Sequence, residues 1–170
     1  MKSISIIKKA INIFYYLFIL TFAFESIKFM YYLILGNFDK LKPKFINDVI
    51  NYTDTSGILT IVSNVIGLGL IYLFVLVIEN LRLSTFELEQ QNYFNDVVIN
   101  SFKKAGGLLL IFAVIQLVSK FIFPVLLNTS FKLTSGHFPI FHVLIGLFFI
   151  FLSDVFKKAK KVTEENDLTI

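Results

Sequence analysis

Apolar residues fall in four long blocks along this chain, separated by polar stretches: Ala10–Gly36, Gly57–Glu79, Gly106–Leu127 and Phe138–Phe156. Each block is near the roughly 20 residues a helix needs to cross a bilayer core of about 30 Å. Leu, Ile and Phe dominate, without the short alternating segments of a membrane barrel. The pattern predicts an all-α fold, a four-helix transmembrane bundle forming a single integral membrane domain over residues 1–170 with both termini on one side. Spans are expected at about 10–36, 57–79, 106–127 and 138–156, followed by a flexible tail over 157–170. Pro124 and Pro139 suit helix ends.

Composition agrees. The chain is 56% hydrophobic, with 21 Phe among 170 residues, above the roughly 45–50% of soluble domains. It has no Cys, which removes disulfides and thiolate metal sites. No cofactor or metal is expected. Lys8 and Lys9 before an apolar run resemble a signal peptide, but Glu25-Ser26-Ile27-Lys28 stands where small cleavage-site residues would fall. The segment reads as an uncleaved first span. The N-terminal arm, second loop and tail hold ten Lys and Arg, against four in the first and third loops. That bias favours cytoplasmic termini. The net charge of +4 is spread without a compact basic face, so no direct nucleic-acid binding is expected.

The second loop carries further signals. Ser84-Thr85-Phe86-Glu87 fits a capping box, which would start a short helix. Phe94, Val97, Val98, Phe102 and Ala105 then recur at helical spacing, after Asn95 as N-cap and Asp96 at the positive helix start. This predicts a cytoplasmic amphipathic helix between spans two and three, entering span three through Gly106-Gly107. It either covers the inner end of the bundle or offers a partner surface. The tail changes from lysines to Glu164, Glu165 and Asp167. Its lysines would sit on anionic lipid. Its acidic end is expected to be disordered, or to present Leu168 and Ile170 to the cytosol.

The polar residues inside the spans are the other candidate site. Measured at 1.5 Å per residue from the inner edge, Glu25, Asn64, Lys120 and His142 all reach roughly 21–22 Å, in the outer half of the core. Thr21, Glu25, Lys28 and Tyr32 share a face of span one, and Gln116 and Lys120 share one of span three. Charges within a membrane usually face the bundle interior and pair. Glu25 is expected to pair with Lys120, or with Lys28 at i+3. Against this, both lysines could snorkel to the headgroups, and His142 alone suits packing better than metal binding. The candidate intramembrane polar cluster is therefore Glu25, Lys28, Asn64, Gln116, Lys120 and His142. It is either a structural salt bridge fixing helix register or a ligand site. Ser63 and Gly67 form a small pair that permits close helix approach.

Two stretches carry a resemblance: Phe94-Asn95 with Phe102-Lys103-Lys104-Ala105-Gly106, and the terminal Glu165-Asn166-Asp167-Leu168-Thr169-Ile170. Together they resemble the domain of unknown function 2975 family of small bacterial four-span membrane proteins. The resemblance implies location in the bacterial inner membrane and a link to a small helix-turn-helix regulator, beside which family members typically lie. It implies no catalytic residues. Phe94, Asn95, Phe102, Asn166, Asp167, Leu168 and Ile170 are the candidate cytosolic partner surface. The expected function is a non-enzymatic signalling or regulatory partner of that regulator, with the lipid bilayer as its other partner. The alternative is a small transporter or channel, assembled as a homo-oligomer and using the polar cluster. No nucleophile elbow, metal motif or phosphate loop points to an enzyme.

Overall fold

In a lipid core every backbone N–H and C=O must be satisfied within the protein, and a continuous helix does so by itself. The computed structural model describes residues 2–41, 57–126 and 139–167. These form four long helices: α1 (Lys2–Ile34), α2 (Gly57–Glu89), α3 (Asp96–Leu126) and α4 (Ile140–Asp167), with a 3₁₀ turn at Phe38–Leu41 after α1. All four are long and apolar enough to cross a membrane. The protein is an all-α four-helix bundle and a multi-pass membrane protein. At 28 to 33 residues the helices run roughly 42–50 Å, so each extends beyond a hydrocarbon core of about 30 Å.

The helices pack in chain order. Helix α1 lies on α2, α2 on α3 and α3 on α4; among the described residues α1 reaches neither α3 nor α4. Neighbours run antiparallel. Lys8 near the start of α1 pairs with Glu89 at the end of α2, and Lys160 near the end of α4 pairs with Asp96 at the start of α3, at 2.7 Å. These contacts mark a terminal end of the bundle; the 3₁₀ turn lies towards the opposite, loop end.

The contact faces follow from residue spacing. Lys8, Tyr15, Phe18 and Phe22 fall on one face of α1. Phe18 packs on Phe74 of α2 with ring centres 4.8 Å apart, and Phe22 on Tyr72 at 5.8 Å. The Arg82 guanidinium lies 4.6 Å over the Tyr15 ring while bonding Glu79 through two nitrogens, at 2.9 and 3.0 Å. Val77 of α2 with Ala105 and Leu109 of α3 forms the core, and Phe74, Leu81, Leu108 and Phe149 pack around it. Helices α3 and α4 cross at Gly106 and Gly146, where the backbones meet too closely for any side chain. Small residues of this kind let helices approach where lipid supplies little hydrophobic drive. Ser153 of α4 adds a cross-helix bond, its hydroxyl donating to the Ile99 carbonyl at 2.8 Å.

Two expectations are corrected. Ser84 and Thr85 do not begin a helix: both are buried within α2, and their hydroxyls donate back to the Leu81 carbonyl at 2.9 Å. A capping box needs its Ser at a free helix start, whereas α2 continues to Glu89. The helix expected from Asn95 through Gly106-Gly107 into span three is the first part of α3, unbroken at the glycines; of its stripe Val98, Phe102 and Ala105 are buried, while Phe94 and Val97 stay partly exposed. The tail read as disordered is helical to Asp167, helped by Lys160–Glu164 and Lys161–Glu165 pairs one turn apart at 3.8 and 3.5 Å. The expectations for the first loop beyond Leu41, for the third loop, and for Leu168 and Ile170 lie outside the described residues.

Two helix ends close in the same way. After α1, Asn37 N–H donates to the Tyr32 carbonyl and Gly36 N–H to Leu33, with Gly36 at φ 64°. After α2, Asn92 N–H donates to Glu87 and Gln91 N–H to Leu88, with Gln91 at φ 67°. Both are Schellman closures, which place one residue in the left-handed region. Helix α3 starts on Asn95, whose side-chain oxygen accepts from Val97 N–H at 3.2 Å. Pro139 precedes α4, where it costs no helical hydrogen bond, and its carbonyl accepts from Val143 N–H at 3.1 Å.

Candidate functional site

Among the described residues the α1 backbone closely approaches only α2 and the 3₁₀ turn, and a cleft lies between α1 and α3 with α2 as its back wall. Its volume is about 610 Å³, within the roughly 300–1,000 Å³ of small-molecule sites. Phe18 of α1, Phe74 of α2 and Phe112 of α3 line its apolar floor, Phe112 lying 5.8 Å from Phe74. Thr21, Leu70, Ile71 and Gln116 line the middle, and Glu25, Lys28, Lys40 and Asn64 the loop-end part.

Glu25 and Lys28 pair at 3.1 Å, one helical turn apart, each about two-fifths exposed. Of the two pairings expected for Glu25, the i+3 one forms. Lys40 on the 3₁₀ turn sits 5.9 Å from the centre of the Tyr32 ring, a cation held over a π face. The Asn64 amide donates to the Leu41 carbonyl at 2.6 Å and to Thr60 at 2.8 Å, so it ties the 3₁₀ turn to α2. Gln116 is the polar residue of the interior: its side-chain oxygen is fully buried and has no hydrogen-bond partner among the described residues.

Four of the six polar candidates therefore share this cleft: Glu25, Lys28, Asn64 and Gln116. Lys120 and His142 do not line it. His142 packs its ring 4.7 Å from Phe112, on the α4 side of α3, the packing role its isolation suggested. Sequence reasoning missed Lys40, which belongs to a loop by composition and reaches the cleft only because Asn64 anchors the turn. It missed the three-Phe floor as well, because a Phe in an apolar block carries no sign of which neighbour it meets.

The terminal end separates the other candidates. Phe102 is 7% exposed and stacks between Phe149 and Phe156, at 5.8 and 5.7 Å. It is interior packing and offers nothing to a partner, which corrects its place in the candidate surface. Phe94 leans on Phe156 at 6.3 Å and remains 38% exposed. The Asn95 amide donates to Glu87 at 3.0 Å, and so does Asn92, bracing the turn between α2 and α3. Asn166 is exposed near the end of α4, and Asp167 is its last helical residue.

Among curated proteins and solved structures none matches the chain. The family described as "Protein of unknown function (DUF2975)" matches residues 44–170, a stretch that contains Asn64, Gln116 and the α3–α4 crossing but not the Glu25–Lys28 pair. With so much of its length matched, the chain belongs to the DUF2975 family.

Proposed function

We propose that this protein is a non-enzymatic signalling component of the bacterial inner membrane, with cytoplasmic termini, that acts on a cytosolic helix-turn-helix regulator. The observation that carries this reading is the unbroken course of α3 and α4 from the level of the cleft to the terminal end. Gln116 and Phe112 of the cleft wall stand on the same helix as Asp96. The Gly106–Gly146 crossing, the Phe102 stack, Ser153 on Ile99 and Lys160 on Asp96 lock that helix to α4. A shift of α3 at the cleft is thereby delivered to the other end as a movement of paired helices.

The Lys and Arg bias supports cytoplasmic termini. Lys157, Lys158 and Lys161 are exposed along α4, placed to rest on anionic headgroups. Glu164, Glu165 and Asn166 are exposed further along α4 and, with the partly open Phe94, form the surface we assign to the regulator. The apolar cluster of Val77, Ala105 and Leu109 lies between cleft and terminal end, which favours a sensor over a conduit, since conduction needs polar lining through the full depth.

The test is co-purification of the full chain with a candidate helix-turn-helix regulator, against a chain ending at Thr163. The shortened chain should keep its thermal stability in detergent to within a few degrees and lose the regulator. Equal retention of the regulator by both, or unchanged target transcription, would overturn the assignment.

A further inference from the structure

We propose that the cleft binds a single-chain anionic amphiphile of the lysophospholipid class: one acyl chain on the phenylalanine floor, a free glycerol hydroxyl on Gln116 and a phosphate beside Lys28 and Lys40. This names a ligand for the sensing site of the proposed function, and it rests on that reading only for its consequence, not for binding itself.

The polarity of the cleft is graded in one direction. Gln116 lies four residues beyond Phe112 on α3, roughly 6 Å nearer the loop end, and Lys28 ten residues beyond Phe18 on α1, roughly 15 Å nearer. Apolar floor, a polar middle of Thr21 and Gln116, and ionic rim thus succeed one another toward the loop end. A lipid in that leaflet has the same order: chain, glycerol backbone, headgroup. Among the described residues the backbones of α1 and α3 stand apart, and the cleft lies between them.

Each element selects a part of the ligand. The buried Gln116 oxygen has no donor among the described residues, and an acceptor left unmatched out of water is unfavourable. Gln116 lines the cleft, so a rotation of its amide toward an occupant bearing a hydroxyl at that depth relieves this. The second ester of a two-chain lipid has no hydrogen to donate. Among the described residues the rim holds two ammonium groups and one carboxylate, and Glu25 is already engaged by Lys28, which leaves Lys40 to face the headgroup. The size agrees: at roughly 30 Å³ per non-hydrogen group, the share of one water in the liquid, 610 Å³ holds about 20 groups. That suits one chain and its glycerol, and not two chains.

The test uses the full chain purified in an uncharged detergent and titrated with 1-palmitoyl lysophosphatidylglycerol. Native mass spectrometry counts bound lipid and thermal unfolding measures affinity. One lysolipid per chain is expected, with two-chain phosphatidylglycerol and glycerol phosphate at least tenfold weaker. Gln116→Leu and Lys40→Gln should each weaken binding about tenfold, the value of one hydrogen bond or charge contact, and Lys40→Arg should restore it. Equal binding of the two-chain lipid, or unchanged binding in both Gln116→Leu and Lys40→Gln, would overturn the proposal. Regulator co-purification is scored separately, so loss of lipid binding with the regulator retained rejects the ligand alone.

Discussion

Gly106 of α3 and Gly146 of α4 meet backbone to backbone: a Cβ built on Gly106 would stand 2.6 Å from the Gly146 carbonyl oxygen and 3.0 Å from the Ile150 amide nitrogen. The reverse contact is also tight, a Cβ on Gly146 lying 3.0 Å from the Gly106 carbonyl. Backbone atoms of two packed helices cannot step aside as a side chain tip can. Gly106→Ala should therefore cost about 1–3 kcal/mol by overpacking, more than the gain of roughly 1 kcal/mol from replacing a helical glycine. Gly107 has nothing within 4 Å, so Gly107→Ala keeps that gain and should be neutral or stabilising. Thermal unfolding of both variants in one detergent checks the sign of each.

Phe102 and Phe94 were grouped by sequence and are separated by structure. Phe102 is stacked between two rings and buried, while Phe94 is partly open. Phe102→Ala should lower stability by about 3 kcal/mol or more, and Phe94→Ala by under half as much. If Phe94→Ala reduces regulator capture at preserved stability, the partner surface gains its first residue.

Gln91 holds a left-handed conformation that costs an L-residue about 1 kcal/mol. Gln91→Gly should raise stability by up to that amount, and Gly36→Ala, at the matching position after α1, should lower it by a similar amount. Chemical denaturation of the two variants in parallel gives opposite shifts of midpoint.

The Asn64 amide carries the bond that brings Lys40 to the cleft. Asn64→Leu should release Leu41 and the turn, seen as faster hydrogen exchange over residues 38–41, and should weaken lysolipid binding as Lys40→Gln does. Unchanged exchange there would show that the turn is held by other contacts.

The four helices were legible because about 20 consecutive apolar residues have few alternatives in a membrane protein. The level of Glu25 and Asn64 was legible too, because helical rise turns sequence separation into depth. What the pattern could not carry was which faces meet. Glu25 could reach Lys28 or a neighbouring helix with equal ease, and the pair with Lys28 is the one the structure shows. The stripe ending at Phe102 reads the same whether it lies on lipid or on another helix, and only the crossing at Gly106 decides. Ser84 and Thr85 had a capping sequence, yet a hydroxyl that returns its hydrogen to its own helix leaves no mark on composition.

The central claim is that occupancy of the cleft reaches the regulator through α3 and α4. The most direct measurement is retention of the helix-turn-helix regulator on the immobilised full chain while lysophosphatidylglycerol is titrated in, with Gln116→Leu alongside. Retention should change severalfold with lipid on the unaltered chain and stay flat on Gln116→Leu at the same concentrations. Retention that is independent of lipid on the unaltered chain, although lipid is bound, would contradict the claim.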